Sequence, residues 1–298
     1  MTASEEKKTE KPEKKEPEKV TGSPVSTLSR KEREQVREGI RHRPAVVYEI
    51  IRLQGEAELR RPVSALWWSG VAAGISIGLS FLTEAALAAH FPPSAWSATI
   101  AKLGYAVGFL IVILGHQQLF TENVLTAVLP VMARRQMEWV WRTLRLWGIV
   151  LAANIVGCFI FAWAFAALPL VSPSISAELG RIVAHLMQNS AFEMFAKGIG
   201  AGWIIAALVW LLASSEGAEF PMIALLTYLI ALFGFTHVVA GSAEALYGYL
   251  TGMISLRDAV GTFFLPTLAG NVFGGTVLFS VLSYAQVREE IFEQKSSS

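Results

Sequence analysis

Two stretches of sequence decide the fold: Ile113-Leu-Gly-His-Gln-Gln-Leu-Phe-Thr-Glu-Asn123 and Leu232-Phe-Gly-Phe-Thr-His-Val-Val-Ala-Gly-Ser242. Each places glycine and polar residues in the middle of an apolar segment that is too long for one membrane crossing, which takes about 20 helical residues. Lipid cannot satisfy the N–H and C=O groups of irregular backbone, so such backbone must be covered by protein or line a water-filled cavity. We therefore predict two broken membrane helices whose breaks face a shared interior path.

Charge is segregated along the chain, which indicates that the lipid bilayer surrounds most of it. Of the 49 Asp, Glu, Lys and Arg residues, 27 lie in the first 61 positions and 22 are spread over the remaining 237. Lysine and glutamate alternate in that leader, so no basic face forms and nucleic acid is not an expected partner. The single cysteine, Cys158, lies in an apolar span, which excludes disulfides and thiolate metal sites. No cofactor and no metal are expected.

The domain organisation follows from these composition changes. Residues 1–26, rich in Lys, Glu and Pro, predict a disordered charged tail. Residues 27–61 predict an amphipathic helical segment, broken near Pro44, that lies along the cytoplasmic membrane face. Residues 62–287 predict six transmembrane helices, and 288–298 a short cytoplasmic tail. The spans are expected at 63–89, 99–132, 146–168, 192–214, 220–250 and 259–285.

Basic residues orient the bundle. Arg134, Arg135, Arg142 and Arg145 crowd the loop between spans two and three. The basic leader falls on the same side of an even-numbered bundle, and positive charge favours the cytoplasmic side. The prediction is a multi-pass protein with both termini in the cytoplasm.

An internal repeat is also visible. Phe120-Thr121 in the first half corresponds to Phe235-Thr236 in the second, 115 residues apart, and Asn154 in span three corresponds to Asn271 in span six. The chain therefore reads as two copies of a three-span unit. Because three is odd, the second copy enters the membrane from the opposite side, and a binding site is expected at the midplane between the broken helices.

The candidate pathway residues lie at the breaks. His237, beside Thr236 in an apolar span, is the most informative, because ionisable groups within spans usually mark a pathway or a proton relay. Thr121, at the other break, offers a hydroxyl donor, with a back-bond to a helix carbonyl as its structural alternative. N-terminal N–H groups of the half-helices are expected to favour anions without a fixed positive charge.

The residues around this pair carry secondary predictions. Leu119, Phe120 and Phe235 are candidates for apolar constrictions, and ordinary core packing is the competing interpretation of the aromatics. Lys197 could gather anions in a vestibule or simply extend to the membrane edge. Asn154 and Asn271 are expected to tie the half-helices together rather than to touch substrate.

Taken in order, these motifs resemble the formate/nitrite transporter family over nearly all of positions 62–287. The resemblance rests on the glycine-rich first span, Leu119-Phe-Thr121, the two asparagine repeats, Phe235-Thr-His237 and Gly270-Asn-Val-Phe-Gly-Gly275. It implies an aquaporin-like protomer with its own pore, assembled as a homopentamer in an inner (plasma) membrane of bacterial type. It also implies that Thr121 and His237 form the central site, with Leu119, Phe120 and Phe235 at the constrictions.

The chain departs from the family pattern at four positions. Gln118 stands where relatives commonly have an acidic residue, and Glu122 where they have a small one. Thr236 replaces a Glu that is often found before the histidine, and Gly241 replaces an Asn. A carboxylate facing the pore would repel anions, so Glu122 is expected to point into the protein or to be protonated.

Transport of a small monovalent anion, with or without a proton, is the leading functional hypothesis, and formate and nitrite are the candidates that the resemblance implies. A neutral-solute channel for water or glycerol is the alternative, although no Asn-Pro-Ala sequence occurs at either break. A membrane-anchored interaction protein is a third possibility. An enzyme is not expected, since His116, Glu122 and His237 lack metal-ligand or triad spacing.

Overall fold

The computed structural model describes residues 43–287, apart from positions 93 and 216. The predicted tail 1–26, the start of the predicted segment 27–61 and the predicted tail 288–298 lie outside the described residues, so the assignments made for them stay predictions. The described part is all-helical. Its helices are α1 Pro44–Leu59, α2 Val63–His90, α3 Trp96–Leu114, α4 Phe120–Thr126, α5 Val128–Arg134, α6 Met137–Ala167, α7 Pro173–Leu186, α8 Ala191–Leu212, α9 Glu219–Leu232, α10 Val238–Leu250 and α11 Asp258–Val287.

Five of the described helices, α2, α3, α6, α8 and α11, are long and apolar enough to cross a membrane, and α9 is a shorter apolar helix. Spans two and five are each interrupted, as the sequence predicted. The helix of span two is interrupted between Leu114 and Phe120, and the helix of span five between Leu232 and Val238. The prediction of an all-α membrane protein with two broken helices is therefore confirmed.

Small residues let the long helices of each half meet at close range. A Cβ added at Gly74 of α2 would collide with the Asn154 carbonyl oxygen of α6, and one added at Gly202 of α8 would collide with that of Asn271 in α11. The contact α2–α6 in the first half is therefore repeated by α8–α11 in the second. Backbone approach of this kind, rather than large side chains, joins helices in membranes.

The helix α11 departs from regular α geometry in two places. Residues Asp258–Phe264 and Phe273–Ser280 have π-helical hydrogen bonding, on either side of the segment that carries Asn271. Helices with such wide turns often occur at functional positions. Here they flank the residue that anchors the second break.

The helix α7 was not predicted. Its buried face presents Leu179 and Val183, and a Cβ at Gly248 of α10 would collide with the Val183 side chain. The segment between spans three and four is only 14 helical residues long and carries Glu178, Arg181 and His185. It is therefore too short and too polar to be recognised as a span, and it packs against both α2 and α10.

The helix α1 begins at Pro44, the residue near which the sequence predicted a break. It packs closely over α4, because a Cβ at Gly55 would overlap the Thr126 carbonyl oxygen. The buried Glu56 carboxylate also binds Arg134 of α5 at 3.0 Å. These contacts fix α1 beside the first break.

Candidate functional site

The two breaks share one backbone conformation. His116 and Gly234 both have positive φ, at 49° and 63°. In each break the residue that follows donates its N–H across a wide turn: Gln117 to the Val112 carbonyl and Phe235 to the Ile230 carbonyl, both at 2.9 Å. The helix therefore ends, turns and runs extended in the same way in both halves.

A buried asparagine holds each break. The Asn154 side chain accepts the Phe120 N–H at 2.9 Å and donates to the carbonyls of Gly70 and Gln118, both at 2.8 Å. The Phe120 N–H and the Gln118 carbonyl would otherwise lack a partner at membrane depth, whereas the Gly70 carbonyl lies inside the continuous helix α2.

In the second half, Asn271 makes the same set of contacts. It accepts the Val238 N–H at 2.8 Å and donates to the carbonyls of Gly198 and Thr236, both at 2.9 Å. In each half, the asparagine side chain thus accepts the hydrogen bond of the first N–H of the half-helix. A bound anion would have to find other donors.

These contacts correct the predicted register of the repeat. Phe120 corresponds to Val238, and Leu119 to His237, an offset of 118 residues rather than 115. The predicted match of Phe120-Thr121 with Phe235-Thr236 is wrong. The reason is that the first Phe-Thr pair opens a half-helix, whereas the second pair precedes the helix and its N-cap residue, His237.

Thr121 and His237 meet where the two halves come together. The Thr121 Oγ1 lies 2.7 Å from the His237 Nε2, and both side chains are buried, with exposed fractions of 0% and 1%. The pairing joins the start of α4 to the residue before α10. It brings together the two residues that the sequence singled out independently.

The other ring nitrogen determines the tautomer. His237 caps α10, and its Nδ1 accepts the Ala240 N–H at 3.2 Å. A nitrogen that accepts a hydrogen bond carries no proton, so in the neutral ring the hydrogen sits on Nε2. His237 therefore donates to the Thr121 oxygen, and the Thr121 hydroxyl hydrogen is left to point elsewhere.

Two neighbours of this pair were not predicted. The Phe109 ring packs edge-on against the His237 imidazole, with centroids 5.0 Å apart and an interplanar angle of 79°. The Cys158 Sγ lies 3.4 Å from the Val239 carbonyl oxygen and 3.5 Å from that of Gly74. Both residues lie in uninterrupted apolar helices, where the sequence offers no signal that separates them from ordinary core.

The structure separates the remaining predicted site residues. Leu119 is buried beside Thr121, while the Phe120 ring packs against Trp147 at 5.9 Å. Phe235 is partly buried against Gly200 and Phe233. Away from the pair, the Thr236 hydroxyl donates to the Met194 carbonyl at 2.8 Å, and the Lys197 ammonium binds the Asn189 side chain.

A cavity of about 580 Å³ opens on the side of the bundle where α1 packs, and Leu119 and Asn123 form part of its wall. Its polar lining includes Gln118, Glu58 and Glu122. The Gln118 side chain donates to the Glu58 carboxylate at 2.9 Å, which ties α1 to the first break. We call this space the α1-side cavity.

Glu122 lines the α1-side cavity. One oxygen of its carboxylate, Oε1, is buried and makes no hydrogen bond with the described residues. The expectation that the side chain points into the protein or is protonated stays a prediction.

Comparison with known proteins gives a consistent result. The family model for the formate/nitrite transporter matches residues 45–285. The inner membrane protein YfdC of Escherichia coli (strain K12) is 42% identical over 255 residues, which cover 86% of this chain and 82% of that protein. The formate channel BtFdhC of Bacillus thuringiensis is 25% identical over 253 residues, covering 78% of this chain and 91% of that protein.

Among solved structures, one described as a pentameric formate channel with formate bound matches with a TM-score of 0.64 and 19% identity, covering 75% of this chain and 96% of the channel. At that identity the match supports the fold. The family match spans both broken helices and both asparagine anchors. The chain therefore belongs to the formate/nitrite transporter family, a family of membrane transport proteins.

Proposed function

We propose that the chain carries a small monovalent anion of the formate or nitrite type through a pore in each protomer, with Thr121 and His237 at its centre. The observation that carries this proposal is the 2.7 Å hydrogen bond between these two buried side chains, at the junction of the two breaks. The buried Nε2–H of a helix-capping imidazole needs an acceptor, and an acceptor from the same half of the chain would serve a purely structural role. Here Nε2 is aimed at a hydroxyl from the opposite half.

The pair can bind an anion without a fixed charge. An anion that displaces the Thr121 oxygen from Nε2 gains the His237 N–H, and the Thr121 hydroxyl can turn to donate a second hydrogen bond. Donors placed in a dry site interact strongly with negative charge and need little reorganisation. The anion would reach them from the α1-side cavity past Leu119, a buried apolar residue of the cavity wall that precedes Phe120 and Thr121.

The capped ring limits how His237 handles protons. If Nε2 gave up its hydrogen from the neutral ring, an imidazolate would result. Full protonation would place a hydrogen on Nδ1, facing the Ala240 N–H donor that now binds there. His237 is thus suited to donate a hydrogen bond, and a proton that moves with the anion must come from another group.

The family and the YfdC relative favour a bacterial inner membrane, and the pentameric channel of the same fold favours a homopentamer. Both termini are proposed to be cytoplasmic. Arg134 and Arg145 support this orientation, because both lie at the end of the bundle where α1 packs. Arg134 binds Glu56, and Arg145 donates to the carbonyls of Leu59 and Arg61. The α1-side cavity would then open to the cytoplasm.

The test is formate and nitrite flux through the purified full chain in proteoliposomes, with protein-free liposomes as background. His237→Phe removes both the donor and the cap. His237→Asn is the matched control, because asparagine is also a good N-cap residue but lacks the Nε2–H. We expect both variants to lose about 10- to 100-fold in flux, as for the loss of a hydrogen bond to a charged group, while only His237→Phe loses thermal stability.

A threonine series tests the other half of the site. Thr121→Val should lower flux in the same range, and Thr121→Ser should keep most of it. Unchanged flux in both His237→Asn and Thr121→Val, or glycerol permeation in a stopped-flow swelling assay without formate flux, would contradict the proposal.

A further inference from the structure

We propose that Glu122 exchanges a proton with the transported anion, so that this chain moves weak monobasic acids together with a proton and rejects the anions of strong acids. This inference rests on the proposed function. It assigns the proton step to a group that the central Thr121–His237 pair cannot replace, since the His237 ring is capped at Nδ1.

Glu122 stands in the wall of the cavity, next to the residues of the central pair. It belongs to the first turn of α4, directly after Thr121, and its side chain and that of Leu119 both line the α1-side cavity. A solute that leaves this cavity toward the Thr121–His237 pair therefore leaves a space that contains the Glu122 carboxyl group.

The cavity contains two other carboxylates, and both are held by donors. Glu58 accepts hydrogen bonds from the Gln118 side chain at 2.9 Å and from the Arg61 guanidinium at 3.0 Å. Glu219, from α9, accepts the Gly217 N–H at 3.0 Å. Both carboxylates therefore have hydrogen-bond donors within the described residues.

Glu122 has no comparable support. Its Oε1 is buried without a hydrogen-bond partner in the described part of the chain. An ionised carboxylate in that position is costly, whereas a carboxyl group that carries a proton gives up less on burial. The titratable and charged groups near the same cavity are Glu58 from α1, Arg61 from the turn after α1, His116 from the break and Glu219 from α9. Of the three carboxylates, Glu122 is the one without a donor.

The proton step balances as follows. The O–H bond of the Glu122 carboxyl group breaks, and a new O–H bond forms on the anion, which becomes a neutral acid. The Glu122 carboxylate regains a proton from hydronium in the water-filled cavity. The neutral acid crosses the apolar contact at Leu119 at a lower cost than the anion would, and the reverse sequence serves movement in the other direction.

The same residues explain rejection of permanent anions. Nitrate and chloride cannot accept a proton at physiological pH, so they meet the apolar barrier without neutralisation. Glu122 is therefore the residue whose removal should slow weak acids without admitting nitrate.

The experiment compares Glu122→Gln with Glu219→Gln in proteoliposomes of the full chain. Both substitutions remove a carboxylate from the same cavity, but only the first removes the unpaired one. Formate flux, the accompanying change in internal pH and nitrate flux are measured side by side. We expect Glu122→Gln to lose about tenfold or more in formate flux, as for the loss of a general acid, to uncouple the pH change from it and to leave nitrate flux at the background of protein-free liposomes. Glu219→Gln should keep wild-type coupling.

Equal effects of the two substitutions would attribute selection to the overall charge of the cavity and overturn the assignment to Glu122. Intact proton coupling in Glu122→Gln would overturn it as well. Glu122→Asp, which retains an exchangeable proton, should keep coupling and provides the test if the glutamine variant does not fold. Absence of formate flux in the unsubstituted protein would instead refute the proposed function.

Discussion

The two breaks have the same backbone and different side chains. Each contains a residue of positive φ, an extended segment and an asparagine anchor, related by an offset of 118 residues. The first break presents His116, Gln117 and Gln118 to the α1-side cavity. The second has Gly234, Phe235 and Thr236 at the corresponding positions, and Thr236 is turned away toward the Met194 carbonyl.

This contrast distinguishes the residues that hold the backbone of each break from those that determine the chemistry of the centre. The asparagine contacts are the same in both halves because every broken membrane helix has the same unpaired backbone groups. The N-cap position differs, with Leu119 in one half and His237 in the other, so the centre receives an apolar side chain from one side and a donor from the other. The contacts shared by the two halves thus stabilise the breaks, and the residues that differ between the halves supply the side chains of the site.

The largest expected effect comes from removing an anchor. Asn154→Ala leaves the Phe120 N–H and the Gln118 carbonyl without partners, and Asn271→Ala does the same to the Val238 N–H and the Thr236 carbonyl. At about 1–3 kcal/mol for each of the two orphaned buried groups, we expect each variant to lose roughly 2–6 kcal/mol of stability. Thermal unfolding of the purified protein in detergent measures both.

If the scaffold is symmetric, the two losses should agree within about 1 kcal/mol, because contacts of the same kind are removed. A loss that is large at one break and negligible at the other would contradict the equivalence. Asn154→Asp is the matched control: it keeps the acceptor for Phe120 but has no N–H groups for the two carbonyls, so it should recover only part of the loss.

A smaller effect is expected where helices of one half meet. Gly74→Ala places a methyl group against the Asn154 carbonyl of α6, and Gly202→Ala places one against the Asn271 carbonyl of α11. Overpacking against backbone typically costs about 1–3 kcal/mol. Gly148→Ala serves as the control, since a Cβ there meets nothing within 4 Å. Wild-type melting temperatures for the Gly74 and Gly202 variants would show that the close approach is not required.

The sequence was sufficient for the scaffold and for one pair of the site. Polar residues within over-long apolar spans predicted both breaks, because lipid leaves no other explanation for them. His237 and Thr121 were predicted separately, and the structure brings them within 2.7 Å of each other. The sequence did not show at which residue each half-helix begins.

The wrong register of the repeat has this cause. The identical Phe-Thr pairs suggested an offset of 115, but identity of side chains does not reveal which residue begins a helix. The register depends on which N–H the asparagine accepts. Phe109 and the helix α7 were missed because only tertiary contacts distinguish them from other apolar or short polar segments.

The smallest effect concerns the positive-φ positions. His116 has a φ of 49°, where its counterpart in the second break is Gly234. A side chain in this region costs about 1–2 kcal/mol relative to the right-handed region, while glycine adopts it freely but loses more entropy on folding. We therefore expect His116→Gly to stabilise the protein by up to about 1 kcal/mol, and Gly234→Ala to destabilise it by a similar amount. Thermal unfolding measures both.

Flux measurements on the same variants sharpen the comparison between the breaks. His116 is exposed and lines the α1-side cavity, so a stabilised His116→Gly variant with altered pH dependence of formate flux would mean that the strained residue is kept for its imidazole. Unaltered flux and pH dependence would mean that the first break tolerates the strain without using the side chain. In the second break no such question arises, because Gly234 has no side chain and its contribution is confined to the backbone.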